Sequence, residues 1–381
     1  MKSVILYAHP VENDGLSIQG DMLYRGMKEN GEDARPCHWR GALQRDWLYR
    51  TFQPDIAIGI GFWGYTPDLI LHPKQFGVTP VPWLVADGWV ANYHNVLQEL
   101  PLVFVTSTWV KEVYERDGVN TKNFVVAPVA VEPEVFKPIP KSDPRVQKLR
   151  ELLGVKPEEK LLLTIGGDVT SKGAQEVLRA LAQANKEFKN WKYICKAWED
   201  DGRREYSDEE NALIEALKLP KERISFLSGS YSREFIPYLL NAADIYMAPS
   251  RIEGFGMIQL EAQACGIPVI SINAMGPKDT VVHGETGYLA KVAHTIDLDS
   301  ELVYPEMGFP EEMRIFFERP KTFAYRADID DLASYLLELL SNDEKRKQMG
   351  EHAREHASKN FNYRDLSAKM TQIIKDRLGI H

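Results

Sequence analysis

The chain has 381 residues, of which 44% are hydrophobic and 27% charged, and its formal net charge is -9. That length exceeds one typical domain and allows two buried cores. The acidic balance argues against a general nucleic-acid binder, no apolar run approaches the roughly 18 residues that span a bilayer, and Met1-Lys-Ser runs straight into Val-Ile-Leu-Tyr without a signal-peptide pattern. A cytoplasmic protein is expected.

Short apolar runs alternate with helical patterns from the start: Val4-Ile-Leu-Tyr7, Ile56-Ala-Ile-Gly-Ile60, Trp83-Leu-Val-Ala86, Leu102-Val-Phe-Val105 and Phe124-Val-Val-Ala127. This is the pattern of a parallel α/β sheet. Pro133, Pro138, Pro140 and Pro144 then mark a boundary, after which the alternation resumes through Lys160-Leu-Leu-Leu-Thr-Ile165, Tyr193-Ile-Cys195, Ile224-Ser-Phe-Leu227, Ile245-Tyr-Met-Ala248 and Pro268-Val-Ile-Ser-Ile272. Two doubly wound domains are expected, with ligands at the carboxyl ends of their strands and substrate in the cleft between them. The boundaries are set at 1–140, 141–360 and a last helix at 361–381. Residues 291–327, with Pro305, Pro310 and Pro320 among aromatics, read as an irregular inserted loop or lid of unknown role. From Asp330 onward, Leu332, Leu336, Leu337 and Leu340 recur at helical spacing and read as a packed face.

Several features carry weaker signals. Cys37, Cys195 and Cys265 are too scattered for a disulfide framework or CxxC metal site and read as small core residues. The nine histidines show no ligand spacing, so no metal site is expected. Gly59-Ile-Gly-Phe-Trp-Gly64 is a formal GxGxxG, yet two bulky aromatics fill the turn and Pro67 follows before any helix, so a dinucleotide fingerprint is rejected. Six of the eight tryptophans (Trp39, Trp47, Trp63, Trp83, Trp89, Trp109) lie in the first 110 residues, and at least half are assigned to the core. Arg35, Arg40, Arg45 and Arg50 interleave with Trp39 and Trp47, which raises peripheral contact with a membrane surface or a phosphorylated acceptor beside the plainer reading of a solvated helix face.

The densest chemistry lies in Glu253-Gly-Phe-Gly-Met-Ile-Gln-Leu-Glu261. Two carboxylates bracket a glycine turn, and a helix opening near Gly256 would aim its free N–H groups at a diphosphate. Eight residues of helix rise roughly 12 Å, comparable to the separation of sugar and ribose in a nucleoside-diphosphate sugar. Glu253 then accepts sugar hydroxyls and Glu261 a ribose diol. The plainer alternative is an ordinary helix start with a dipole-stabilising acid and a solvated Glu261.

With its flanks, Ala243-Asp-Ile-Tyr-Met-Ala-Pro-Ser-Arg-Ile-Glu-Gly-Phe-Gly before it, Ala-Cys-Gly-Ile-Pro-Val-Ile270 after it and Val282-His-Gly-Glu-Thr-Gly-Tyr-Leu289 beyond, this segment resembles the retaining glycosyltransferases of family 4. The resemblance covers most of residues 100–370 and is weakest on the acceptor side. It implies the GT-B fold: two Rossmann-like doubly wound domains facing a cleft, with the C-terminal helix crossing back to the first domain. It implies that Glu253 holds the donor sugar, that the amides of Gly254, Phe255, Gly256, Met257 and Ile258 help bind the diphosphate, and that Glu261 binds ribose. Lys172, in Gly166-Gly-Asp-Val-Thr-Ser-Lys-Gly173, matches the family's phosphate-binding Lys, but the preceding Arg is replaced by Gly167 or Asp168, with Arg251 a candidate substitute. Gly229 and Tyr231 fall at the family's base-recognition position. Gly15, at the start of a helix, is the one glycine where the family has a Gly-Gly phosphate loop, and Asp87 stands in place of the family's N-domain histidine, where it would meet an acceptor or sugar hydroxyl.

The function so implied is retaining transfer of a sugar from a nucleoside-diphosphate sugar to a hydroxyl of a carbohydrate, lipid-linked or small-molecule acceptor, without cofactor or metal. Glu253, Asp87 and Lys172 are the candidate catalytic residues. The leaving phosphate helps deprotonate the acceptor, so the protein supplies positioning and electrostatics. An epimerase of the same fold and a non-catalytic nucleotide-sugar binding protein are the alternatives.

Overall fold

The computed structural model describes residues 1–86, 88–166, 170–197 and 208–380. The chain divides into two compact units, the first comprising Met1–Glu132, Asp297–Phe323 and Phe361–His381, the second Pro133–Ile296 and Ala324–Asn360.

The first unit opens with β1 (Lys2–Tyr7), α1 (Gly15–Glu29), β2 (Asp33–His38), α2 (Ala42–Thr51) and β3 (Ile56–Phe62). After a tight turn at Trp63–Tyr65 and a π-helical turn at Pro67–Leu71 come α3 (His72–Gln75), β4 (Thr79–Pro80) and β5 (Trp83–Val85). The unit continues with α4 (His94–Gln98), β6 (Val103–Val105), α5 (Thr108–Arg116) and β7 (Phe124–Val126). The strands pair in parallel in the order β2-β1-β3-β5-β6-β7, with β4 beside β3. Val4, Ile5 and Leu6 are fully buried because both faces of such a sheet are covered, which is why its strands read as unbroken apolar runs. The order reverses between β1 and β3, and this switch point opens a crevice at the strands' carboxyl ends.

Gly59 and Gly61 serve packing rather than a phosphate: an added Cβ would come within 2.7 Å of Leu69 and 2.6 Å of Tyr65 respectively. Trp63, Trp83, Trp89 and Trp109 are buried, whereas Trp47 is 60% exposed. Arg45 is buried in an ion pair with Asp68 at 2.8 Å, so the arginine-rich segment is not one continuous surface.

The second unit runs α6 (Pro144–Leu152), β8 (Lys160–Ile165), α7 (Ala174–Ala184), β9 (Trp191–Lys196), α8 (Asp208–Ala216) and β10 (Ile224–Leu227). There follow α9 (Ile236–Ala242), β11 (Ile245–Met247), α10 (Met257–Ala264), β12 (Val269–Ile272), α11 (Pro277–Thr280) and β13 (Gly287–Ala290). Its strand order, β10-β9-β8-β11-β12-β13, is that of a Rossmann sheet, reversing between β8 and β11.

Residues 291–327 are not irregular. They form β14 (Val292–Val303) and β15 (Met313–Ala327), a two-stranded sheet turning through Pro305–Met307 and Gly308. An isolated ribbon of two strands is marginal in water, so it needs a support. Within the first unit Phe317 packs on Trp89 with ring centroids 5.9 Å apart, Lys321 pairs with Asp117 at 3.0 Å, and the Asn92 amide donates to Met307 O at 3.1 Å.

Three helices follow: α12 (Ile329–Ser341), α13 (Asp343–Asn360) and α14 (Tyr363–Leu378). Leu332, Leu336 and Leu340 form the buried face of α12, with Leu337 beside it only partly covered. The α14 helix belongs to the first unit, where the Tyr363 hydroxyl donates to Glu29 at 2.9 Å and Lys375 pairs with Glu32 at 2.7 Å. Among the described residues no helix is long and apolar enough to cross a membrane.

All three cysteines are free and buried, and burial pushes the Cys37 thiol up to about 11 and Cys265 higher still. A thiol reagent at pH 8 is therefore expected to label none of them within minutes in the native protein and all three in denaturant, as counted by mass spectrometry. Rapid native labelling of Cys195 or Cys265 would contradict this packing.

Candidate active site

The reversal in the second sheet positions two loops side by side, one leaving β8 and one leaving β11. They are tied beneath by Tyr246, whose hydroxyl donates to Ile165 O at 3.0 Å. Burial, reinforced by Glu253 and Glu261, holds that phenol well above its ordinary range, so it stays a donor. On top, Lys172 Nζ meets Glu253 Oε2 at 2.6 Å, both side chains about a fifth exposed (24% and 17%). Glu253 Oε1 accepts the Gly256 N–H at 3.0 Å, and the Glu253 carbonyl accepts the Gly276 N–H at 3.1 Å. Lys172 and Glu253 are thus fixed at the point where such sheets bind ligands.

Two glycines make this possible. Gly173, at φ +80°, precedes α7, and a Cβ there would lie 2.3 Å from Pro249 O; Gly256, at φ +98°, precedes α10. Both conformations are costly for residues with a side chain. Neither glycine offers a side-chain cap, so the first-turn N–H groups of both helices keep no acceptor from the cap position. Phe255 is buried, while Gly254, Met257 and Ile258 are half-buried around this turn. Because α10 begins only at Met257, Glu261 lies one turn into it, roughly 6 Å along the axis, and the rest of the Glu253-to-Glu261 span is loop.

Glu261 is fully buried and is held by Arg233, whose guanidinium also stacks over Phe136 at 4.4 Å. Arg251 is engaged as well: with Arg326 it shares the buried Glu176, at 3.1 and 2.8 Å. Its backbone N–H donates to Ser171 O and its carbonyl accepts from Tyr325 N–H, so Arg251 bridges the Lys172 loop to the base of the β14–β15 ribbon. Gly229 takes φ +104° after β10. Tyr231 packs on Phe235 and lies under Lys196, 5.5 Å from the ring, beside an apolar cavity of about 480 Å³ lined by Leu227, Tyr231 and Phe235. Burial lowers the Lys196 pKa.

In the first unit Gly15 opens α1, but there the Asp14 carboxylate already accepts the Leu16 and Ser17 N–H groups at 2.9 and 3.0 Å, so an anion would meet a like charge. Asp87, Gly167 and Asp168 lie outside the described residues. Sequence reading missed Arg233, Lys196, Glu176 and Arg326. Only Lys196 had a local signal, as a lone cation closing the apolar strand Trp191–Lys196.

Two Rossmann-like halves with a charged pair at the switch point of the second define a GT-B protein. Residues 146–301 match the family described as glycosyl transferases group 1. The chain is 24% identical over 346 residues to the D-inositol 3-phosphate glycosyltransferase of Corynebacterium aurimucosum, covering 82% of this chain and 72% of that protein. Matches to other curated relatives span about half of their length, 49% in two cases. Among solved structures, sucrose-phosphate synthase from Thermosynechococcus elongatus superposes with a TM-score of 0.75 at 17% identity over 100% of both chains. Anabaena HepE, in complex with UDP-glucose, gives 0.73 at 16% identity over 99% of this chain and 100% of its own.

Proposed function

We propose that this chain transfers a sugar from a nucleoside-diphosphate sugar to a hydroxyl acceptor with retention at the anomeric carbon. The observation that carries the reading is the Lys172–Glu253 pair set between the uncapped starts of α7 and α10. Helix N-termini and one ammonium suit a diphosphate, and their positive charge opposes the negative charge that builds on the leaving group. Glu253 is placed to release Lys172 to the phosphate and accept sugar hydroxyls, while Glu261 exchanges its Arg233 contact for a ribose diol. These charges suffice without a divalent cation. Acceptor deprotonation by the leaving phosphate fits a site built for positioning.

UDP-glucose, the donor bound by HepE, is the first to try, with UDP-N-acetylglucosamine and GDP-mannose beside it. NMR of the full chain in EDTA is expected to show slow donor hydrolysis or transfer, the new glycosidic bond keeping the donor's anomeric configuration. An inverted product refutes retention, tight binding without turnover points to a binding protein, and an epimerised nucleotide sugar defeats both readings.

A further inference from the structure

The loop that carries Glu253 runs without regular structure from the end of β11 at Met247 to the start of α10 at Met257, yet it delivers its carboxylate to within 2.6 Å of Lys172. Besides the Gly276 contact, the backbone of Arg251 anchors it. The Arg251 N–H donates to Ser171 O at 2.7 Å, and the Arg251 carbonyl accepts the Tyr325 N–H at 2.8 Å. Ser171 is next to Lys172, and Arg251 stands two residues from Glu253, a span of at most about 7 Å. The Lys172–Glu253 geometry therefore follows the placement of Arg251, where three segments of the second unit meet: the Lys172 loop, the Glu253 loop and the base of the ribbon.

Side chains tie the same three segments again, through one carboxylate. Glu176 is buried in the first turn of α7, and Arg251 meets it as a fork, Nε on Oε1 and Nη2 on Oε2, both at 3.2 Å. Arg326, the last cation of the ribbon, donates Nε to Oε1 at 2.8 Å. Gln175 offers Arg251 Nη2 a further acceptor at 2.9 Å. Its amide is turned that way by Glu210 of α8, which accepts from Gln175 Nε2 at 3.1 Å and from the Thr170 hydroxyl at 3.0 Å.

Stability alone does not call for this set. A buried ion cluster loses to desolvation most of what it gains in attraction, and apolar packing of similar volume would hold the segments as well. Charges add direction, because a guanidinium fork fits a carboxylate in one plane and one orientation. Direction is what the Glu253 loop needs: a displacement of about 1 Å at a reacting centre costs on the order of a hundredfold in rate.

Resting on the transferase reading above, we infer that Glu176 and Arg326 are positioning residues, which hold Arg251 and through its backbone keep Glu253 and Lys172 in register. The inserted ribbon thereby serves the donor site by supplying Arg326.

The test compares Arg326→Met, Arg326→Lys and Glu176→Gln in the full chain. Arg326→Met strands no charge, because Arg251 still covers Glu176, so the fold is kept. Amide exchange without donor, read by mass spectrometry, is expected to speed up at least fivefold in the peptide spanning 250–257 while β8 and β12 stay unchanged. In the same variant kcat should fall about tenfold with the donor KM within threefold, since the starts of α7 and α10 are left in place. Arg326→Lys can still donate to Oε1 and should bring both readouts back to within threefold of the unaltered chain. Glu176→Gln, at the centre of the set, should show the same pattern with a kcat loss of about thirtyfold, and the two Arg326 variants decide the matter if it does not fold. Faster exchange across the whole second unit would make the set a structural tie and overturn the inference. So would a loss of kcat with exchange at 250–257 unchanged, or Arg326→Lys as slow as Arg326→Met. If the unaltered chain turns over no donor, the transferase reading fails instead, and exchange at 250–257 alone decides whether the set positions the loop.

Discussion

Glu253→Gln is expected to lower transfer by two to three orders of magnitude while the melting temperature moves by no more than about 3 °C. The substitution is nearly isosteric. A glutamine carbonyl can still accept the Gly256 N–H that Glu253 Oε1 accepts at 3.0 Å, so the turn into α10 survives. What disappears is the charge opposite Lys172, from a pair with both members about a fifth exposed, where such contacts contribute only about 1 kcal/mol to stability. Catalysis is more sensitive, because a fixed charge aimed at the reacting centre acts in the transition state. Removing one such group commonly costs a factor of 10² to 10³, about 2.7–4 kcal/mol. On the proposed reading, in which the helix starts and Lys172 hold the diphosphate, the loss should fall mainly on kcat, with UDP affinity by calorimetry changing less than threefold. Transfer within threefold of the unaltered enzyme would remove Glu253 from the site.

Much of this architecture was legible because local and global signals agree. Both sheets were visible as apolar runs, since strands buried on two faces cannot carry alternating polar residues. The proximity of Lys172 and Glu253 followed from motifs that fall at the ends of β8 and β11, and the strand order makes those ends neighbours. Partners that reach the site from elsewhere were not legible. Arg233 finds Glu261 from a loop 28 positions away, and Arg326 finds Glu176 across 150, through contacts that no spacing encodes.

The ribbon is a different failure. Ile296, Leu298 and Leu302 fall on one face with Asp297, Asp299 and Glu301 on the other, a period of two broken only at Ser300 that signals a strand, but Pro305, Pro310 and Pro320 signal breaks. Pro305 lies in the turn, Pro310 in the connection and only Pro320 within β15, where a two-stranded sheet leaves an unpaired edge to tolerate it. Its base reaches Arg251 through Tyr325, so the insertion is built into the loop that carries Glu253.

Arg233→Met should have the largest effect on folding. Glu261 is fully buried on α10, and Arg233, a quarter exposed, brings it a positive charge. Methionine fills much of the same volume over Phe136 but leaves a carboxylate inside the unit without that charge. Breaking one side of a buried pair costs about 3–5 kcal/mol, and in a unit of this size each kcal/mol shifts the midpoint by about 2–4 °C. A fall of roughly 10 °C is therefore expected, with more than half recovered in Arg233→Met/Glu261→Gln, where the stranded charge is gone. A single-variant shift under 2 °C would show that Arg233 is not what compensates Glu261. The same variant tests the ribose assignment. If a ribose diol donates to Glu261, saturating UDP supplies the missing partners, and the stabilisation by UDP should be larger in Arg233→Met than in the unaltered chain. Equal stabilisation in the two proteins would place the ribose elsewhere, leaving Glu261 a structural partner of Arg233 alone.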